Sequence, residues 1–152
     1  MTTMNRRALM AMGAAIAAAK TTGAAWAQET APATPAAPEI KDFSLGDPNA
    51  PVKMVEYASF TCPHCAKFHT TVFKPLKTEY IDTGKVHFTL KEVYFDRYGL
   101  WAALVARCGG DLRYFGIADV VLSTQSEWAA SEDPNVVVQN LRNIGLAAGL
   151  TA

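Results

Sequence analysis

Four residues, Cys62-Pro63-His64-Cys65, constrain this chain more than any others. They follow an apolar run, Val52 to Phe60, and lead into a stretch of helical pattern that runs on from Cys65. Two cysteines spaced Cys-x-x-Cys after a strand and at the opening of a helix are the layout of a thiol-disulfide redox site. A chain of 152 residues holds one domain of ordinary size around such a site.

The flanking pattern is that of an α/β unit. Val52 to Tyr57 alternates as a strand, with Val52, Met54 and Glu56 on one face and Lys53, Val55 and Tyr57 on the other. Phe68, Val72, Leu76 and Tyr80 then recur at four-residue spacing, and Thr83-Gly84 closes the helix. Pro75 inside this run removes a donor and predicts a kink or break near Phe73. Val86 to Val93 is the second strong strand, with Val86, Phe88 and Leu90 on one face. Strand, helix and strand in this order predict a right-handed parallel unit. Phe43-Ser44-Leu45 is read as a short edge strand.

After Tyr94 the pattern is helical, over about 98–148. Gly99 to Cys108 reads as a buried helix. Asp111 is a candidate cap for a helix reaching Ser123, and Glu127 to Ala130 reads as a turn. Asp133-Pro134 is a cap and first-turn signal for a helix over Asn135 to Ala148. Tyr98, Trp101 and Phe115 are assigned to the core and His69 to a solvated helix surface. Phe60 and Phe95 are candidates for a peptide groove.

The chain begins with export signals. Arg6-Arg7 precede an uncharged run from Ala8 to Ala19, and Ala25-Trp26-Ala27 is a small-x-small cleavage pattern, so residues 1–27 read as a signal peptide cleaved near Ala27. The apolar run is shorter than the ~20 residues that span a bilayer. General secretion and the twin-arginine route both fit, and both deliver the mature chain to an oxidising compartment such as the periplasm. Residues 28–39, QETAPATPAAPE, form a Pro/Ala-rich linker. Lys plus Arg equals Asp plus Glu at 14 each, with no basic run, so nothing points to nucleic acid.

Placed at a helix start, Cys62 faces unpaired backbone N–H groups that favour an anion, and its pKa is expected below the ~8.5 of a free cysteine. A pair whose thiolate form is stabilised is an oxidant. Pro63 sets the first helical turn and His64 adds a donor or a positive charge beside Cys62. Glu56 reads either as a strand-end carboxylate facing solvent or as a partly buried acid beneath the cysteines. A structural zinc site needs four ligands. The remaining candidates, His64, His69, His87 and Cys108, include no second pair at ligand spacing, so no metal and no cofactor are expected.

Export signal, Val52-Lys53-Met54-Val55-Glu56-Tyr57 and Ser59-Phe60-Thr61-Cys62-Pro63-His64-Cys65 together resemble the DsbA-like branch of the thioredoxin fold. The resemblance implies a protein-disulfide oxidoreductase that inserts disulfides into exported proteins with free thiols, reoxidised by a quinone-linked membrane partner. It implies a thioredoxin-like fold with a helical insertion. It also implies that Glu56, six residues before Cys62, works with a nearby lysine as a proton-handling pair, and Lys91 is the matching position.

That fold continues with a cis-proline loop, a β-hairpin and a last helix. The only proline after Pro75 is Pro134, which opens a helix. The expectation is therefore an incomplete domain over 40–152, truncated at its C-terminal side, with an unpaired sheet edge, low stability and poor oxidase activity by itself. Cys108 is then either a buried free thiol or one whose partner lies in the missing part. Alternatives are a reductase or isomerase on the same scaffold, and a non-enzymatic metal-binding or vestigial fragment.

Overall fold

The alternation in Val52–Ala58 and Val86–Glu92 produces two long strands that pair in parallel. A computed structural model describes residues 40–151. The signal peptide and linker read from residues 1–39 lie outside the described residues. Three strands form one mixed sheet: β1 (Phe43–Leu45), β2 (Val52–Ala58) and β3 (Val86–Glu92), in the order β1-β3-β2. β1 runs antiparallel to β3, with Phe43 opposite Leu90. β2 runs parallel to β3, with Val52 opposite Val86 and Ala58 opposite Glu92. Phe43 is the short edge strand expected, and Val86, Phe88 and Leu90 are buried together as their shared parity requires.

The connection between β2 and β3 is helical throughout. It runs from α1 (Pro63–Phe68) through a π-helical turn, His69–Phe73, to the short α2 (Lys74–Leu76) and a second π-helical turn, Lys77–Ile81. Of the kink or break expected near Phe73, the break does not occur; the winding changes there instead, from a π-helical turn to α2. Pro75 offers no N–H and its ring crowds the carbonyl four residues back. The widened turn just before it removes the need for that bond, so the chain stays helical across the proline. Gly84 then turns the chain at φ +76°, a left-handed conformation that other residues rarely adopt.

The rest is helical: α3 (Arg97–Cys108), α4 (Gly110–Ser123), α5 (Gln125–Trp128) and α6 (Pro134–Ala147). α3 buries Gly99, Ala102, Ala103 and Ala106, a stripe of small residues that lets it lie close to its neighbours. α4 buries Tyr114, Ile117, Ala118, Val121 and Leu122, and α6 buries Val137 and Leu141. Phe73, Phe88 and Phe115 carry the core from the helical connection across the sheet to α4, at ring separations of 5.0 and 6.3 Å. Tyr98, Trp101 and Phe115 pack against this core, as assigned from sequence.

Four local expectations change. Asp111 does not cap α4; it sits inside the first turn and pairs with Lys41 at 2.6 Å. Gln125–Trp128 is a short helix rather than a turn, because the buried Trp128 indole donates to the Val121 carbonyl at 2.7 Å. His69 is buried, not solvated: its Nε2 lies 2.8 Å from Asp119 Oδ1 and its ring stacks on Phe73. Cys108 is an exposed free thiol rather than a buried one. Asp133 caps α6 as expected, accepting from the Asn135 N–H at 2.9 Å, with Pro134 in the first turn.

The sheet ends on β2, which has no second strand partner among the described residues, and Val52, Val55 and Tyr57 are exposed on it. An exposed strand edge bearing apolar side chains is a site for association. Among the described residues no helix is long and apolar enough to cross a membrane, and no peptide bond is cis.

Candidate active site

The strand β2 delivers the chain to a turn, Ser59–Thr61, and Cys62 then stands at the N-cap position of α1 with extended backbone, φ −82° and ψ 117°. Pro63 fills the first helical position, where its missing N–H costs no bond. No regular side-chain cap closes this helix start. Instead the Cys65 N–H points at the Cys62 sulfur, joined by the Cys65 thiol and the His64 N–H. These donors, those of Cys65 foremost, hold the Cys62 pKa below its ordinary value against the opposing effect of burial.

Cys65 lies one step inside the helix and behaves in the opposite sense. Burial first, then its bond to Cys62 and the negative charges of Cys62 and Glu56, push its thiol up; the Ser59 N–H works against them. Both cysteines are free thiols and both are partly accessible. His64 contributes its backbone N–H. Its side chain is exposed and makes no hydrogen bond among the described residues.

Glu56 is the partly buried acid of the two sequence readings. It lies on the core-facing side of β2, close enough for its charge to act on Cys65, and burial pushes its carboxyl up to about 7. The expected partner is not there. Glu56 stands opposite Leu90, whereas Lys91 stands opposite Tyr57, on the other face of the sheet. Lys91 Nζ binds Asp42 at 2.7 Å, and this bond raises the lysine's pKa. The Glu56–Lys91 pair is therefore corrected: one step along β3 turns a side chain to the opposite face.

The turn that carries Cys62 is braced from two sides by residues the sequence did not single out. On one side the Thr61 hydroxyl donates to Asp96, which also accepts the Tyr98 and Gly99 N–H groups as the N-cap of α3. Against the cost of partial burial, these donors hold the Asp96 carboxyl below its ordinary range. Gly99 permits the close approach, since a Cβ there would come within 3.2 Å of both the Ser59 and Thr61 side-chain oxygens. On the other side Gln125 Nε2 donates to the Phe60 carbonyl at 2.7 Å and to the Cys62 carbonyl at 3.1 Å. Phe60 itself is core, and Phe95 is exposed.

A second polar group ties β3 to the helices. The Glu92 carboxylate, buried beyond the end of the apolar run, accepts from Arg107 and from the Tyr114 hydroxyl at 2.8 Å. Arg107 also donates to the Lys41 carbonyl at 2.9 Å. Phe43 stacks on Tyr114 at 3.8 Å and completes the cover. Among the described residues no cluster of three or more His, Cys, Asp or Glu side chains is poised to hold a metal.

A cysteine pair at a helix start, fed by a parallel strand of a mixed sheet, defines an α/β protein of thioredoxin-like fold. Comparison with known proteins agrees. A family model described as Thioredoxin matches residues 39–149. The chain belongs to this family, in its DsbA-like branch. It is 39% identical over 111 residues to a chain from Rickettsia bellii described as a protein-disulfide oxidoreductase, covering 72% of this chain and 42% of that one. A Rickettsia typhi chain of the same description is 40% identical over 111 residues, covering 72% and 40%. The crystal structure of Wolbachia pipientis alpha-DsbA1 superposes with a TM-score of 0.68 at 36% identity, covering 75% of this chain and 57% of that one. The chain thus spans about two fifths of the length of the curated relatives it matches.

Proposed function

We propose that this chain is an exported thiol-disulfide oxidoreductase that oxidises protein dithiols through Cys62 and Cys65. The observation that carries this reading is the asymmetry of the pair. Backbone N–H groups stabilise the Cys62 thiolate, while burial and neighbouring negative charge disfavour the Cys65 thiolate. The more accessible sulfur is then also the better leaving group.

The reaction runs in two exchanges. A substrate thiolate attacks Cys62 Sγ of the Cys62–Cys65 disulfide, a bond forms between substrate and Cys62 sulfurs, and Cys65 leaves with the electron pair and takes up a proton. The second substrate thiolate attacks the substrate sulfur of the mixed disulfide, and Cys62 leaves as a thiolate. The substrate is oxidised by two electrons and the cysteine pair is reduced. We assign the passing of that proton to Glu56; its carboxyl, raised by burial to about 7, and the action of its charge on Cys65 support this role. Pro63 and His64 serve through the helix start: one fixes the first turn, the other supplies an N–H.

The helices from Arg97 to Ala147 are read as the insertion of the DsbA-like branch. The cis-proline loop that the resemblance implies has no counterpart among the described residues. Exported proteins with free thiols as substrates, and a quinone-linked membrane protein as reoxidant, rest on the family resemblance. Export and a periplasmic location rest on residues 1–27.

The experiment is a Cys62 alkylation rate measured against pH, with the full chain equilibrated in parallel against glutathione redox buffers. An oxidase gives a Cys62 midpoint well below ~8.5 and a pair that glutathione reduces readily. An ordinary midpoint would overturn the reading; a pair that stays oxidised in the same buffers would reassign it as a reductase.

A further inference from the structure

The sequence separates Gln125 from the redox motif by some sixty residues, yet its side chain ends on that motif. Its carboxamide Nε2 carries two hydrogens, and both have acceptors: Phe60 O at 2.7 Å and Cys62 O at 3.1 Å. Two carbonyl acceptors fix the orientation of the amide, because only its NH2 end can serve both. The Cys62 carbonyl accepts a second bond, from the Ala66 N–H at 3.1 Å, which is the first bond of α1. Both lone-pair directions of that oxygen are therefore occupied, one by the helix and one by Gln125.

Gln125 is also rigidly mounted. It opens α5, a helix of one turn that is pinned by the buried Trp128, whose indole donates to Val121 O at 2.7 Å. The Trp128 carbonyl accepts from Asn140 on α6 at 3.4 Å, and the Thr124 carbonyl accepts the Glu127 and Trp128 N–H groups. The Phe60–Thr61 and Cys62–Pro63 peptide planes cannot rotate without stretching one of the Gln125 bonds, and the plane between them is held by the Cys62 N–H donating to Ser59 O at 3.1 Å. Those planes decide where the His64 and Cys65 N–H groups point relative to the Cys62 sulfur.

We propose that Gln125 is a positioning residue for the redox pair: by donating to the carbonyls of Phe60 and Cys62 it holds the turn that aims the helix-start N–H groups at the Cys62 sulfur. The proposal rests on the thiol-exchange reading above. Gln125 touches no reacting atom and acts through the backbone alone.

The test compares the full chain with its Gln125→Leu and Gln125→Glu variants. Leu removes the donors, and an ionised Glu presents acceptors to carbonyls. The readouts are the Cys62 alkylation midpoint and the glutathione equilibrium, with circular dichroism as a check on folding. Loss of one aligned hydrogen-bonded brace is expected to raise the Cys62 midpoint by about half to one pH unit and to make the disulfide about three- to tenfold harder for glutathione to reduce. A low midpoint in the parent with unchanged midpoints in both variants would overturn the role of Gln125 and leave the thiol-exchange reading standing. An ordinary midpoint in the parent would remove that reading, and this inference with it. Loss of folding in both variants would make Gln125 a structural brace and would likewise overturn the proposal.

Discussion

Replacing Glu56 with glutamine isolates the cost of a carboxyl on the core-facing side of β2 that has no cationic partner among the described residues. Burial alone moves this carboxyl from an ordinary value of 4.5 to about 7. Because the folded value is raised, folding binds a proton that the unfolded chain does not hold. The associated stability is fully present below the unfolded value and is lost as pH rises through the folded one. At ~1.4 kcal/mol per pH unit the gap has a ceiling of about 3.4 kcal/mol. The carboxyl is only partly buried, and solvent screening reduces the expected effect to about 1–2 kcal/mol. Glu56→Gln keeps the shape and removes the charge. The assay is urea unfolding of parent and variant across pH ~4 to ~8.5, and the quantity is their difference in unfolding free energy. It should be near zero at the acid end, grow between pH ~4.5 and ~7, and favour the variant at the alkaline end. His69, whose pKa burial lowers, titrates in both proteins and cancels in the difference. A gap that does not change with pH would refute the claim that the ionised carboxylate is costly where it stands.

Three further outcomes follow from the same geometry. Cys65→Ser should accumulate a mixed disulfide between Cys62 and a reactive thiol, visible by mass spectrometry, because the resolving sulfur is gone; Cys62→Ser should accumulate none at Cys65 on the same timescale. Lys91→Met should leave the Cys62 alkylation midpoint unchanged, since Lys91 binds Asp42 on the sheet face turned away from Glu56; a moved midpoint would reinstate the pair. Arg107→Met should destabilise the chain by about 3–5 kcal/mol in urea unfolding, because it leaves the buried Glu92 carboxylate without its cation, whereas Tyr114→Phe should cost about 1–2 kcal/mol.

What the sequence made legible was local. Cys62 to Cys65, the cap at Asp133-Pro134 and the turn at Gly84 each depend on a few consecutive residues, and each stands where the pattern put it. The two long strands were legible because alternation is a property of one segment. What escaped depends on partners distant in the chain. His69 looked like a solvated helix residue until Asp119, fifty positions on, was packed against it. Nothing local singled out Glu92, which Arg107 and Tyr114 meet from α3 and α4. The pairing of Glu56 with Lys91 was implied by the family resemblance, not by any local pattern. Only the register, Glu56 opposite Leu90, reveals that they occupy opposite faces. One signal was available and unused: Asp96 stands just before the helical run of Arg97 to Cys108, the usual position of a capping acid.

The two cysteines owe their difference to two levels of structure. Cys62 draws its stabilised thiolate from donors in the first turn of α1, within three residues of its own sulfur. Cys65 and Glu56 are shifted by burial, which requires the sheet and the helices packed on it. Loosening the helices therefore does not weaken both sulfurs alike. It brings Cys65 back toward an ordinary thiol, narrows the gap between attacking and leaving sulfurs, and removes the direction of exchange before it removes reactivity. The braces at Asp96 and Gln125 connect these levels, because each reaches from a helix of the second level to the turn that sets the first. The difference between the two cysteines is thus a tertiary property, although the motif that carries them occupies four consecutive residues.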